Sequence, residues 1–194
     1  CTVDTRVYAV VKFDKGDGTN KYILCEFDSS FNTDMAKTYS GSNGVFSVSS
    51  DFANGAVLDV VSGTHYLGQF TVAGGNIDVS AVDNSLSSAE IGFKFDVTLK
   101  TNPIDTLAQQ GPMTGEPRSM NKVILDLSNT LSVSVNSNNL IIRQVTDDLS
   151  LARQAVTGKK EFRLLGYSKD PQVTISQSAP LSLQVNSLIA EVTF

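Results

Sequence analysis

The sequence predicts an all-β protein made of two small antiparallel β units, each a barrel or sandwich, joined by a long loop containing proline and glycine. Three observations predict it. Apolar and polar residues alternate with period 2 through the second half: Val123, Leu125 and Leu127 alternate with Ile124, Asp126 and Ser128, and Leu131, Val133 and Val135 with Ser132, Ser134 and Asn136. That period belongs to strands with one buried face. Turn signals recur about every ten residues through the first half, the spacing of barrels and sandwiches. Residues 101–121 then hold three of the five prolines, Pro103, Pro112 and Pro117, together with Gly111 and Gly115. The chain therefore divides into a first unit at 1–100, a connection at 101–121 and a second unit at 122–194.

Taken in order, residues 5–13 (TRVYAVVKF) and 21–27 (KYILCEF) read as a hairpin around Asp17-Gly18. Residues 28–50 are polar and read as a long loop with one short strand at 45–48. Asn54-Gly55 starts an apolar strand at 56–62, Gly63 turns it into 65–72, and Gly74-Gly75-Asn76 turns that into 77–79. Residues 91–100 (IGFKFDVTLK) read as one amphipathic strand, with Phe93, Phe95, Val97 and Leu99 on a single face. Within the connection, 104–109 fits one helical turn. Residues 146–160 fit a short helix or a flexible loop equally. Leu181, Leu183 and Val185 alternate with Ser182, Gln184 and Asn186, and Leu188, Ala190, Val192 and Phe194 close the chain as strands.

Composition narrows the function. A net charge of −5 and a pI near 4.8 argue against a protein that grips phosphates by bulk charge. No signal peptide, glycosylation sequon or apolar run of about 18 residues is present, so no membrane segment is expected. Two cysteines, Cys1 and Cys25, make no disulfide framework and read as reduced thiols, with a pair brought together by the first strands as the alternative. The chain opens on Cys1 without Met, as a fragment of a longer protein would.

Catalytic and metal chemistry has little to work with. His65 is the one histidine and follows a turn. Zinc takes about four Cys, His or carboxylate ligands, which one His and two separated Cys do not supply. DKGDGTN places Gly16 and Gly18 where a calcium loop needs oxygen ligands, so it reads as a turn. Gly74-Gly75 lacks the helix and lysine of a phosphate loop, and Asp147-Asp148 reads as a solvated pair. No catalytic, cofactor-binding or metal residue is assigned, and no cofactor is expected. Long polar excursions from a β scaffold are where contacts tend to be made. The candidates for assembly contacts are therefore Gly111, Pro112, Gly115, Pro117 and Arg118 in and beside the connection, with Lys159 and Lys160 in the second excursion.

The order of segments resembles the C-terminal region of the tail nozzle proteins of short-tailed bacteriophages, also called tail tubular protein B or phage stabilisation proteins. The resemblance runs from Val7 to Val192. It rests on VYAVVKF with KYILCEFD, on SSDFANGAVLDVVSGTHYLGQFTVAGGNIDV, on IGFKFDVTLKTNPID, on RSMNKVILDLSNTLSVSV and on VTISQSAPLSLQVNSLIAEV. Cys25 and the single Pro180 before Ser182 depart from the family pattern. The resemblance implies a structural virion protein, not an enzyme, located in the phage tail and made in the host cytoplasm. It implies a homo-hexameric ring in the full-length parent that meets tail adaptor and tail fibre proteins. DNA would pass through its channel during ejection without specific binding. The alternative is a receptor- or glycan-binding β module using Tyr39, Asn43 or Phe46 in the Ser/Asn/Gly loop, against which the lack of Trp counts.

Overall fold

The computed structural model describes residues 2–3, 6–104, 107–108, 111–112, 117–143, 148 and 152–193. Among them the chain is all-β with antiparallel sheets. No helix there is long and apolar enough to cross a membrane. The chain forms two compact units, Cys1–Phe95 and Asp96–Phe194.

In the first unit β1 (Thr2–Val3), β2 (Arg6–Asp14) and β3 (Asn20–Glu26) form a three-stranded ribbon. Aspartates build the β2–β3 turn: Asp14 Oδ1 accepts the Gly16 and Gly18 N–H groups at 2.8 and 3.0 Å, and Asp17 caps Thr19. Gly16 has φ +102°, and a Cβ there would lie 2.6 Å from Ala56 Cβ. Glycine therefore lets the turn rest on the body of the unit.

That body contains β4 (Asp34–Ser42), β5 (Val45–Ser47), β6 (Val57–Ser62), β7 (His65–Thr71), β8 (Asn76–Asp78) and β9 (Ser88–Phe93), in the order β7-β6-β9-β4-β5-β8. Phe46, Val48, Leu58, Val60, Ile77 and Ile91 are fully buried on its inner face.

The second unit packs two sheets over one core. β10 (Val97–Lys100) opens it, and β11 (Leu107–Ala108) and β12 (Gly111–Pro112) make a two-residue ladder. β13 (Arg118–Thr130) is the spine. β14 (Ser134–Val135), β15 (Asn138–Asn139), β16 (Val156–Arg163), β17 (Tyr167–Ser168), β18 (Thr174–Gln177) and β19 (Val185–Thr193) follow. β13 is flanked by β16 on one side and β19 on the other, while β10-β18-β14-β15 form the second sheet. Val123, Leu125 and Leu127 from β13 meet Val133, Val135 and Ile175 in the core.

Five expectations change. The polar loop expected at 28–50 contains the nine-residue β4. Its period is broken by a bulge between Asp34 and Lys37, and its few apolar side chains mask it. The 91–100 strand is split, with β9 in the first unit and β10 paired to β18 in the second. Phe95, between them, is 49% exposed. No helical turn forms at Leu107–Ala108, which pairs instead with Gly111–Pro112; Asp105, Thr106 and Gln109 lie outside the described residues. The second excursion ends early, because β16 takes up Val156 to Lys160, while 146–147 and 149–151 lie outside the described residues. Of the closing strands, β19 begins only at Val185.

Leu125 is fully buried, whereas Leu99 is 57% exposed. Leu125→Ala is expected to cost about 2–5 kcal/mol and Leu99→Ala below about 1 kcal/mol. The urea midpoints of the two variants check this.

Candidate functional site

The first unit carries a groove of about 1020 Å³ bounded by the ribbon on one side and β4 on the other. β3 and β4 are consecutive in the chain and run in opposite directions. Cys25 meets Met35 near one end, and Lys21 and Lys37 share Asp51 near the other. Such neighbours ordinarily pair as a hairpin. Here they do not pair, and the groove lies between them.

Its lining reveals its geometry. Residues 23–28 and 33–37 all contribute, without skipping alternate positions. Leu24 and Glu26, of the outward parity, line it beside the inward Ile23 and Cys25, and β3 is the end strand of the ribbon, so its free edge borders the groove; Val11 to Asp14 of β2 line it too.

Aromatic rings form the floor. Phe13 lies 5.9 Å from Phe52 and 5.7 Å from Phe93, Phe52 lies 5.3 Å from Phe93, and Tyr39 stands 6.4 Å from Phe52. Each pair is worth ~0.5–1.5 kcal/mol beyond its buried area. Phe13 comes from β2 and Phe93 from β9, so this cluster ties the ribbon to the body. Met35 borders the groove with φ +53°, a left-handed conformation uncommon for a residue with a Cβ.

A polar clasp closes the end away from the β3–β4 loop. Asp51 sits 3.1 Å from Lys37 Nζ and 3.9 Å from Lys21 Nζ, and accepts Tyr39 Oη–H at 2.8 Å and Ser50 Oγ–H at 3.0 Å. Burial opposes the charge on Asp51, but the hydrogen bonds from Tyr39, Lys37 and Ser50 outweigh it and hold the carboxyl below its ordinary 3.8. Burial, then the bond to Asp51, pushes the Tyr39 phenol far above its ordinary 10.0. At the loop end, Glu90 accepts the Asn32 and Thr33 N–H groups at 2.7 and 2.8 Å and Thr33 Oγ1 at 2.8 Å. Gly92 lets this loop approach, since a Cβ there would lie 2.5 Å from Thr33 Oγ1.

The residues singled out from sequence lie elsewhere. Gly111 and Pro112 form β12, Pro117 is exposed and Gly115 lies outside the described residues. Arg118 is fully buried: its guanidinium donates to the Ile104 and Lys169 carbonyls at 2.7 and 2.9 Å, so it serves the interior of the second unit. Lys159 and Lys160 are exposed on β16, opposite Asp126 and Leu125. Tyr39 and Phe46 are buried, which removes the aromatic platform expected in the Ser/Asn/Gly loop. His65 is exposed at the start of β7. Cys25 is a free thiol, and Cys1 lies outside the described residues. Among the described residues no group of three or more His, Cys, Asp or Glu is placed to hold a metal ion.

Sequence reasoning passed over the groove. Its signal was present in β3, where Tyr22 and Leu24 are apolar at one parity and Ile23 and Cys25 at the other. A strand apolar on both faces has two surfaces to cover. No protein family and no curated protein matches the chain.

Because Asp51 is held below its ordinary 3.8, its contribution to stability is fully present above that value and is lost as pH falls from there through the lower pKa of the folded state. Asp51→Asn is expected to lower the melting temperature at pH 7 by about 3 °C, allowing about 1 kcal/mol for a half-screened clasp. It is also expected to flatten the acid limb of the stability curve, which thermal melts between pH 7 and pH 3 measure.

Proposed function

We propose that the chain is a structural component of a phage tail, the C-terminal β-rich portion of a hexameric nozzle whose ring encloses the DNA exit channel. The virion assignment rests on the ordered series of segments from Val7 to Val192 that resembles the nozzle family. Its work is association and shape, and tail adaptor and fibre proteins are its neighbours.

The observation that carries the associative reading is the ribbon. Val10, Tyr22 and Leu24 share its outer face at 71%, 71% and 69% exposure, beside a groove whose borders are strand edges. Contiguous exposed apolar surface of this kind marks an interaction site. A unit that buries Phe46, Leu58 and Ile91 completely yet leaves these side chains in water is shaped for a partner. Charge fits the channel as well. A ring of subunits at −5 each repels phosphate and lets DNA slide without sticking.

Electron microscopy of the full-length parent tests the reading. Sixfold rings with an open central channel, retaining no duplex DNA at low salt, are expected. Monomers or trimers without a channel would overturn the ring, and tight retention of DNA would overturn the non-binding channel.

A further inference from the structure

We propose that the groove between β3 and β4 is an acceptor slot for one extended peptide strand, which docks by adding its backbone to the free edge of β3. The occupant is a segment with alternating apolar side chains and a Lys or Arg at its N-terminal end.

The hydrogen-bond phase of the ribbon supplies the acceptor. Phe27 N donates to Val7 O at 2.9 Å, so Val7 and Phe27 form a bonded pair. Pairs alternate between bonded and non-bonded along an antiparallel ladder. The register Ala9↔Cys25, Val11↔Ile23 and Phe13↔Lys21 continues the bonded phase. Tyr22, Leu24 and Glu26 therefore turn both their N–H and C=O groups away from β2. Among the described residues no backbone hydrogen bond reaches them from another element. Such an edge is a template for a further strand.

Size favours a chain segment over a small ligand. Ligand pockets run to about 1,000 Å³ at their upper end, and this one is open and about 1020 Å³. β3 is seven residues long, about 23 Å at 3.3 Å per residue, so the slot has the length of a short strand. Phe13, Ile23, Phe52 and Phe93 give its floor an apolar surface for alternate side chains.

Charge sets polarity. At the loop end Glu26, Asp28 and Asp34 border the slot, and Arg6 pairs with Glu26 at 3.1 Å. The carboxylates outnumber that cation. At the far end Asp51 already holds Lys21 and Lys37. The ribbon pairs antiparallel throughout, so the added strand is assigned the same sense, and it starts at the loop end because β3 finishes there. Its first residue is therefore the cation.

The test uses the 194-residue chain and a labelled peptide, acetyl-Lys-Val-Thr-Val-Thr-Val-amide, read by fluorescence anisotropy. Leu24→Pro removes one outward N–H and leaves the bonds to β2 in place. It is expected to weaken binding about tenfold or more, the scale of one or two lost backbone hydrogen bonds. Leu24→Thr keeps the N–H and is expected to stay within about threefold. Tyr22→Pro, at the same phase, replaces Leu24→Pro if that variant fails to fold. Putting Glu in place of the peptide's Lys is expected to weaken binding, with the difference shrinking in high salt. Binding that is unchanged by both proline variants would overturn strand addition, and so would absence of binding. A wild-type chain that dimerises through the slot, with Leu24→Pro restoring the monomer, would make a second copy the occupant and overturn the assignment to a basic-ended segment.

Discussion

The first unit depends on the contact of Phe13 with Phe52 and Phe93. Two full strands and a two-residue third make a ribbon that is marginal by itself and needs packing against the body. Phe13 reaches from β2 into the body, where Phe52 and Phe93 meet it edge-on and tilted. That anchor fixes the ribbon while β3 and β4, neighbours in sequence, stay apart. The Asp51 clasp holds the same separation from the far end. Everything distinctive about the unit follows: a floor of rings, two strand edges facing one groove, and an outer ribbon face left in water.

The second unit solves the opposite problem. β13 is paired on both sides along most of its length, and its inward side chains Val123, Leu125 and Leu127 are fully buried. Even its cation, Arg118, is turned inward onto the Ile104 and Lys169 carbonyls. This unit closes its interior, while the first leaves an edge available. The structural role proposed for the chain would call on both, a rigid frame and a place where another chain can be received.

Period 2 made the frame legible. Val123 to Leu127 and Leu131 to Val135 alternate in sequence and bury the expected parity. The hairpin was legible because Asp14 and Asp17 are turn builders and Gly16 and Gly18 take positive φ. β4 was not, because Asp34 to Ser42 holds few apolar side chains and a bulge interrupts its period. The continuous pattern of IGFKFDVTLK hid a boundary, since alternation says which parity is apolar but not which core receives it. The groove was legible only through β3, which is apolar at both parities. Its floor gathers Phe13, Phe52 and Phe93 from distant parts of the chain, and its borders are backbone, which every residue type shares.

Amide hydrogen exchange of the free 194-residue chain shows directly whether β3 presents an unpaired backbone edge to the groove. Such an edge gives slow exchange at Lys21, Ile23 and Cys25, whose N–H groups face β2, and fast exchange at Tyr22, Leu24 and Glu26. Equal protection at both sets would contradict it, because the edge of β3 would then already be covered.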